Sequence, residues 1–346
     1  MIERGGSPRP IESYISKDNT GFNWIKIGDA DDSGYINYTE EKIIKEGLKK
    51  TRQVFKGDLI LSNSMSFGRP YILNIDGCIH DGWLLIRDTN KLFIQQFLRT
   101  YLETKSCLKQ YQRAAAGGVV SNLNKEIVEK VIIKFPTIKE QEKIANLFQT
   151  IDLKIEIIQK KINILKKYKK GIMKKLSIAG LKEKKFFEYI KICEKTGLQS
   201  SDGKNVGKYK FYINSTNDEV KWTDKYVFDG EYLILNSGGQ AYTNYVNNKF
   251  SAMSDCLVLK PLEKSMSLYF WLKSNEKRIN DIGFQGTGLK HLDLKWLLRQ
   301  NVSIINYDEK KLFNLNKCLD NIIELNSLLL DKLLIIKKQL LNSLFI

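Results

Sequence analysis

Displacing the sequence by 168 residues lays one long helical pattern on another without a gap. NLFQTIDLKIE from Asn146 falls on NLNKCLDNIIE from Asn314, so that Leu147 meets Leu315, Asp152 meets Asp320 and Ile155 meets Ile323. The match continues through Leu165 on Leu333 and Lys169–Lys170 on Lys337–Lys338, to Leu176 on Leu344. A displacement that preserves order over such a length marks an internal repeat, and a repeat decides the architecture before any single element does. The preceding regions echo with small shifts. FKGDLILSNS at Phe55 matches FDGEYLILNSGG at Phe228, and GGVVSNLNKEIVEKVIIKF at Gly117 resembles GTGLKHLDLKWLLRQNVSII at Gly286. Each half therefore reads as a globular part of mixed strands and helices followed by one long helix, an α/β (α+β) fold class. The first copy has a shorter lead-in: FFEYIKIC precedes Gly197 in the second copy, whereas the first starts almost at Gly5 and Gly6.

The long helices carry a seam. Apolar residues at Ile144, Phe148, Ile151, Ile155, Ile158, Ile162, Leu165, Ile172 and Leu176 alternate steps of four and three, with Lys169 as the break. Leu312, Leu319, Ile323, Leu330, Leu333, Leu340 and Leu344 repeat the spacing, with breaks at Asn316, Asn326 and Lys337. Such spacing suits a helix that packs lengthwise on another, and polar breaks in it set register at some cost in stability. The simplest mate for each seam is the other, antiparallel in a pseudo-two-fold arrangement. At 1.5 Å per residue the pair would form a rod about 50 Å long. Packing of each helix on its own core, or between two chains, are the alternatives. Fourteen basic and five acidic residues lie between Ile138 and Lys185, a surface suited to phosphates, to an acidic partner or to water alone.

In the globular parts, FNWIKIGD, GDLILSNSM, VEKVIIKFP and FFEYIKIC read as strands and KLFIQQFLRTYLETKSCLKQYQ as one helix. The loops after the GD and GE strands occupy matching places in the repeat. The first offers Ser62, Asn63, Ser64, Arg69 and Tyr71; the second offers Asn236, Ser237, Gln240, Tyr242 and Tyr245. Arg4, Ser7 and Arg9 at the start, and Leu289–Lys290 in GTGLK, extend the two sets. Such side chains can pair with base edges and phosphates, Arg and Lys with guanine, Asn and Gln with adenine. Taken one at a time, each is more often an ordinary loop residue.

The charge balance points the same way: 56 basic against 39 acidic residues give a net charge of +17, which suits a polyanion. A lysine-rich surface kept only for solubility is the bland alternative. The five cysteines are scattered without a CxxC pair, and His80 and His291 are the only histidines, so neither a disulfide framework nor a metal centre is expected. LLLDKLLII is interrupted by charge, so no membrane span is expected, and the start lacks the apolar run of a signal peptide. No catalytic constellation stands out. GLQSSDGKN misses the phosphate-loop spacing and has Asn205 where Ser or Thr would hold magnesium. Asp88, Glu103 and Lys105 imitate a nuclease set, but such triplets arise readily in a chain this rich in lysine.

FPTIKEQEKIANLFQTID, LKKYKKGIMKKL, GDLILSNSM and WIKIGD together resemble the specificity subunit of type I restriction–modification systems, over nearly the whole chain. The resemblance implies target-recognition domains at 1–137 and 181–308, a central conserved helix at 138–180 and a C-terminal one at 309–346. It implies a subunit without catalytic residues, metal or cofactor of its own, working in the cytoplasm. Each recognition domain would read one half of a split site in double-stranded DNA, and the helical rod would set the gap. Two methyltransferase subunits would supply S-adenosylmethionine, and restriction subunits ATP and magnesium. The second helix opens with INYDEKKLF, without the proline and Glu-Gln of the first. That departure weakens any expectation that both helix starts act alike. A two-lobed coiled-coil scaffold that binds only proteins is the competing expectation.

Overall fold

The computed structural model describes residues 1–18, 20–31, 33–63, 68–115, 123–178, 182–215, 219–304 and 307–345. The chain divides into two compact units, Met1–Lys160 with Ser327–Ile346, and Lys161–Asn326.

In the first unit, strands β1 (Ile2–Arg4), β2 (Phe22–Ile25), β3 (Tyr35–Ile36), β4 (Glu41–Ile43), β5 (Arg52–Val54), β6 (Leu59–Ser62), β7 (Pro70–Leu73), β8 (Gly77–Ile79) and β9 (Trp83–Ile86) form two sheets. Their orders are β1-β9-β6-β7-β3 and β4-β2-β8-β5. Helices α1 (Gln95–Leu102), α2 (Lys105–Ala115) and α3 (Lys125–Glu129) follow, then the long α4 (Ile138–Ile178). The single helix expected after Lys91 is broken because Thr104 caps a new one. Its Oγ1 donates to the Tyr101 carbonyl at 2.7 Å and accepts from the Cys107 amide at 3.2 Å.

The second unit contains β10 (Lys182–Lys185), β11 (Ile190–Ile192), β12 (Tyr209–Tyr212), β13 (Val220–Thr223), β14 (Glu231–Asn236), β15 (Thr243–Asn247), β16 (Phe250–Ala252) and β17 (Cys256–Pro261). Then come α5 (Ser265–Arg278), β18 (Phe284–Gln285), β19 (His291–Leu292), α6 (Leu294–Leu298), β20 (Asn301–Ile304) and the long α7 (Glu309–Leu344). The order β11-β17-β14-β15 reproduces β1-β9-β6-β7, and β13-β12-β16 reproduces β4-β2-β8, down to the parallel central pair. The repeat read in the sequence is thus a repeat of topology. FFEYIKIC is less regular than expected: residues 186–189 form a helical turn between β10 and β11.

The strand expected over VEKVIIKFP is absent. Its first residues close α3, and 131–137 have no regular structure. The matching stretch of the second unit is a strand, β20, because β10 pairs with it from Lys182↔Ile304 to Lys185↔Asn301. Among the described residues, nothing plays the part of β10 in the first unit, and a strand needs a partner for its backbone groups.

The seam closes as spaced, antiparallel within each unit. In the first unit, Phe148 is fully buried and its ring lies 6.0 Å from that of Phe345, beyond the end of α7. In the second, Met173 and Leu312 share the core with Phe186 and Trp271. The lysine breaks turn out to be ion pairs. Lys337 meets Asp152 at 2.8 Å in the first unit, and Lys169 meets Asp320 in the second. Under the 168-residue displacement these are the same pair, so each unit holds the helices in the same register. Asn316 supports Asp320 through a 3.1 Å hydrogen bond.

The two helix starts also correspond, despite their different sequences. Thr137 donates its amide and hydroxyl to the Glu140 carboxylate at 3.1 and 2.9 Å, and the Glu140 amide donates to the Thr137 carbonyl at 3.0 Å. The adjacent Gln141 is fully buried; it accepts from the Ile94 amide at 2.9 Å and donates to the carbonyls of Leu92 (3.0 Å) and Pro136 (3.1 Å). Its image is Glu309, whose carboxylate accepts from the amides of Met266 (2.7 Å) and Ser267 (3.3 Å) and from the Ser267 hydroxyl (2.5 Å). Each residue ties a long helix to the start of the helix that follows the sheet. Gln141→Ala is expected to cost about 1–3 kcal/mol, since it strands buried backbone groups, and denaturant unfolding of the full chain measures it.

Candidate nucleic-acid interface

In the first unit the candidate residues converge on one turn, His80-Asp81-Gly82, which joins β8 to β9. Arg4 Nε donates to the Asp81 carbonyl at 3.0 Å, Ser7 Oγ donates to Asp81 Oδ1 at 2.9 Å, and Arg9 lies 3.9 Å from Oδ2. His80 Nε2 sits 3.0 Å from Oδ1, while its Nδ1 accepts from the Gly82 amide at 2.9 Å. A neutral imidazole carrying its proton on Nε2 satisfies both contacts. The glycine pair makes this approach possible. Gly5 donates its amide to the Trp83 carbonyl at 2.9 Å, and a Cβ there would stand 2.1 Å from the His80 carbonyl oxygen. Asp81 was not among the residues singled out in the sequence; HDG between two apolar strands was the available turn signal.

The loop after β6 is fastened to the same turn. Asn63 donates through its side chain to the Asp81 carbonyl and through its amide to the Gly82 carbonyl, both at 2.9 Å. Ser62 and Arg69 exchange hydrogen bonds: the Ser62 amide to the Arg69 carbonyl at 2.9 Å, and the Arg69 amide to Ser62 Oγ at 3.0 Å. Ser62 and Asn63 are buried, so their polar atoms hold the loop in place. Tyr71 is buried as well, edge-on to Trp83 at 5.5 Å, with the Arg69 guanidinium over its ring. Arg4 and Arg9 are exposed, and Arg69 is half-buried. Ser64 lies outside the described residues.

In the second unit the same clasp recurs with different letters. Ser237 donates its amide and hydroxyl to the Asp255 carbonyl at 3.3 and 2.5 Å, where Asn63 met Asp81 and Gly82. Asn236, buried like Ser62, donates to the Ser215 carbonyl at 2.8 Å. The loop of Leu289 and Lys290 comes alongside. Gly239 donates to the Lys290 carbonyl at 2.8 Å and Leu292 to the Ser237 carbonyl at 2.9 Å. The two stretches picked out separately in the sequence thus form one surface, on which Gln240, Leu289 and Lys290 are exposed. Tyr242 is half-buried beneath the Lys273 ammonium, 4.1 Å from its ring centre. Tyr245 points elsewhere: it packs against Tyr269 and Phe313, and burial, with the negative charge of Glu231 next, pushes its hydroxyl up to about 12.

A second basic surface of this unit escaped the sequence reading. Lys208, Tyr209, Lys210, Trp222 and Lys249 line a cleft of about 500 Å³ over β12 and β13. Lys249 lies 4.6 Å from the Tyr226 ring centre, and the Tyr209 and Tyr226 rings meet edge-on at 5.1 Å. Lys208–Lys210 are adjacent in sequence, but Trp222 and Lys249 come beside them only through the pairing of β12 with β13 and β16.

The residues that imitated a nuclease are otherwise engaged. Asp88 accepts from the amides of Asn90 and Phe93, and Glu103 belongs to the Arg99–Lys337 ion pairs. Among the described residues, no group of three or more His, Cys, Asp or Glu is placed to hold a metal ion. No helix of the described residues is long and apolar enough to cross a membrane.

Two β-rich units of one topology, each with a clasped polar loop and each built on both long helices, define a duplicated two-unit protein. The family model for the type I restriction modification DNA specificity domain matches residues 2–167 and again 181–333, one match per copy, and the chain belongs to that family. The type I restriction enzyme MjaVIII specificity subunit of Methanocaldococcus jannaschii is 27% identical over 213 residues, 56% of this chain and 48% of that protein. The chain spans about half the length of the curated relatives it matches. The S subunit of a type I restriction–modification system from M. genitalium has the same fold, with a TM-score of 0.68 and 16% identity, covering 100% of this chain and 93% of that one.

Proposed function

We propose that this chain is the DNA-reading subunit of a type I restriction–modification complex, each unit reading one half of a split site. The observation that carries the reading is the duplicated clasp. In both units the loop after the central strand is fastened to the turn that precedes the neighbouring strand, and basic or amide side chains stand exposed beside it. Arg4, Arg9 and Arg69 serve the first half-site, and Gln240 and Lys290 the second. Ser62, Asn63, Tyr71 and Asn236 act behind them, as braces. The lysines over β12 and β13 contact phosphates. The chemistry belongs to partners: methyltransferase subunits with S-adenosylmethionine, and restriction subunits with ATP and magnesium.

The long helices favour protein partners as well. In the first unit Leu153, Ile157, Leu328, Leu329 and Ile335 are exposed, and in the second Ile164 and Leu325 are exposed. In each unit these apolar side chains lie off the closed seam, and they support docking of methyltransferase helices.

Footprinting of the chain with its methyltransferase tests the reading. Two protected, sequence-dependent segments separated by an unread gap are expected. Affinity should fall with salt, with a log–log slope of about −0.9 per phosphate neutralised. A complex that assembles with no sequence-dependent footprint would leave only the protein-binding scaffold.

A further inference from the structure

Strands β18 and β19 form a hairpin in the second unit, with Phe284 opposite Leu292 and Gln285 opposite His291. Its base is anchored. Phe284 is buried in the core, and Gly283 lies so close to Trp296 that a Cβ there would stand 2.6 Å from the indole ring. The Asp293 amide donates to the Gly283 carbonyl at 2.7 Å. The tip, residues 286–290, is held against the loop after β14 by the Gly239–Lys290 and Leu292–Ser237 hydrogen bonds. Gly286, at φ +136°, closes the turn; a Cβ there would stand 2.9 Å from the Leu289 carbonyl oxygen. The turn lifts the Leu289 side chain off the unit, 69% exposed.

A single exposed leucine is ordinary on a protein surface. Its company here is not. Gln240, Lys290 and His291 are exposed beside it, on the surface where the two loops meet. The first copy also keeps an apolar residue at this place. Asn124 accepts from the Ile127 amide as Asp293 does from the Trp296 amide, and the Leu123 amide donates to the Asn63 carbonyl at 2.8 Å as that of Leu292 does to Ser237. Counting back from these anchors, Val120 stands in the sequence for Leu289. Val120 itself lies outside the described residues.

We propose that Leu289 is a base reader: the hairpin tip enters the major groove of the second half-site, and the leucine packs on the 5-methyl group of a thymine. The inference rests on the DNA-reading function proposed above. The major groove admits a two-stranded ribbon, and the thymine methyl is the apolar group on its floor. An unpacked leucine among hydrogen-bonding side chains matches that mixture, with Gln240 and Lys290 reading the polar edges nearby. Gly288 favours close approach. A side chain there would meet nothing of the protein within 4 Å, so the fold does not demand glycine, and its absence keeps the tip thin.

The test uses the full chain in complex with its methyltransferase and a duplex carrying the site. Each thymine of the protected segments is replaced in turn by uracil, which removes only the methyl group. At one position the replacement is expected to weaken binding of the unaltered chain about fivefold. Leu289→Ala should weaken binding to the thymine duplex at least as much, and should be indifferent to uracil at that position because the contact is already lost. Its denaturant unfolding should match that of the unaltered chain. A site without thymine in the protected segments, no effect of uracil at any position, or an effect undiminished in Leu289→Ala would each overturn the proposal. So would a Leu289→Ala chain that binds DNA normally and only assembles poorly with methyltransferase, which would make the hairpin a protein contact. Absence of a two-part footprint would instead remove the proposed function itself, before any uracil is introduced.

Discussion

Asp152→Ala is expected to destabilise the first unit by about 3–5 kcal/mol, while Asp320→Ala, the same change one repeat later, costs about 1 kcal/mol or less. The two aspartates are images of each other, and each faces a lysine across the helix pair. Burial separates them. The Arg99 side chain is 1% exposed, and its guanidinium lies 2.6 Å from Asp152, which is itself 12% exposed. Glu103 stands 3.4 Å from Arg99 and 3.3 Å from Lys337. Without Asp152, two cations, one of them the buried Arg99, would share one remaining carboxylate. Asp320 is 51% exposed, so water can replace it as a partner for Lys169. Denaturant unfolding, followed by amide exchange in each unit separately, measures the contrast. Equal costs at the two positions would mean that Arg99 finds solvent once Asp152 is gone. Asp152→Asn, which keeps the shape and removes the charge, should retain most of the loss.

The seam of this pair was legible because helical spacing is a local property, visible wherever apolar residues recur every three and four positions. The repeat made the antiparallel mate legible too. The role of the lysine breaks was only half legible. Lys169 and Lys337 stood out as interruptions, but Arg99 reaches Asp152 from 53 residues away, and nothing in the spacing announces it. The polar loops were found by their matching places in the repeat, yet the sequence could not tell exposed side chains from buried braces. Ser62, Asn63 and Asn236 look like base-reading residues. They are buried because the clasp needs donors for the carbonyls of Arg69, Asp81 and Ser215. The missing strand at 131–135 failed for a different reason. Its apolar alternation is right for a strand, but pairing depends on a partner elsewhere in sequence, and among the described residues only the second unit pairs this stretch, through β10.

Substitution of Gln240 and Lys290 together is expected to erase recognition of one half-site and leave the other intact. On the proposed reading, each lost base-edge contact costs about 1–3 kcal/mol, so Gln240→Ala with Lys290→Ala should weaken specific binding by about two to four orders of magnitude. Both side chains are exposed on the surface where the two loops of the second unit meet. Neither is among the buried braces, so the fold should stand. Footprinting with the methyltransferase complex should show protection lost or relaxed over one segment only. Arg4→Ala with Arg9→Ala should do the converse, acting on the other segment. Arg9 contacts Asp81 only at 3.9 Å and its side chain is 85% exposed, so its removal disturbs little in the turn. The pattern separates two causes of weaker binding. A lysine over β12 that contacts only phosphate, such as Lys210, should on substitution weaken all sequences alike and lower the salt slope by about one. Gln240 and Lys290 should change which sequence is preferred. If the double substitution reduced both half-site footprints equally, with the salt slope falling and the preference unchanged, these residues would be backbone contacts, and the base-reading surface would lie elsewhere on the unit.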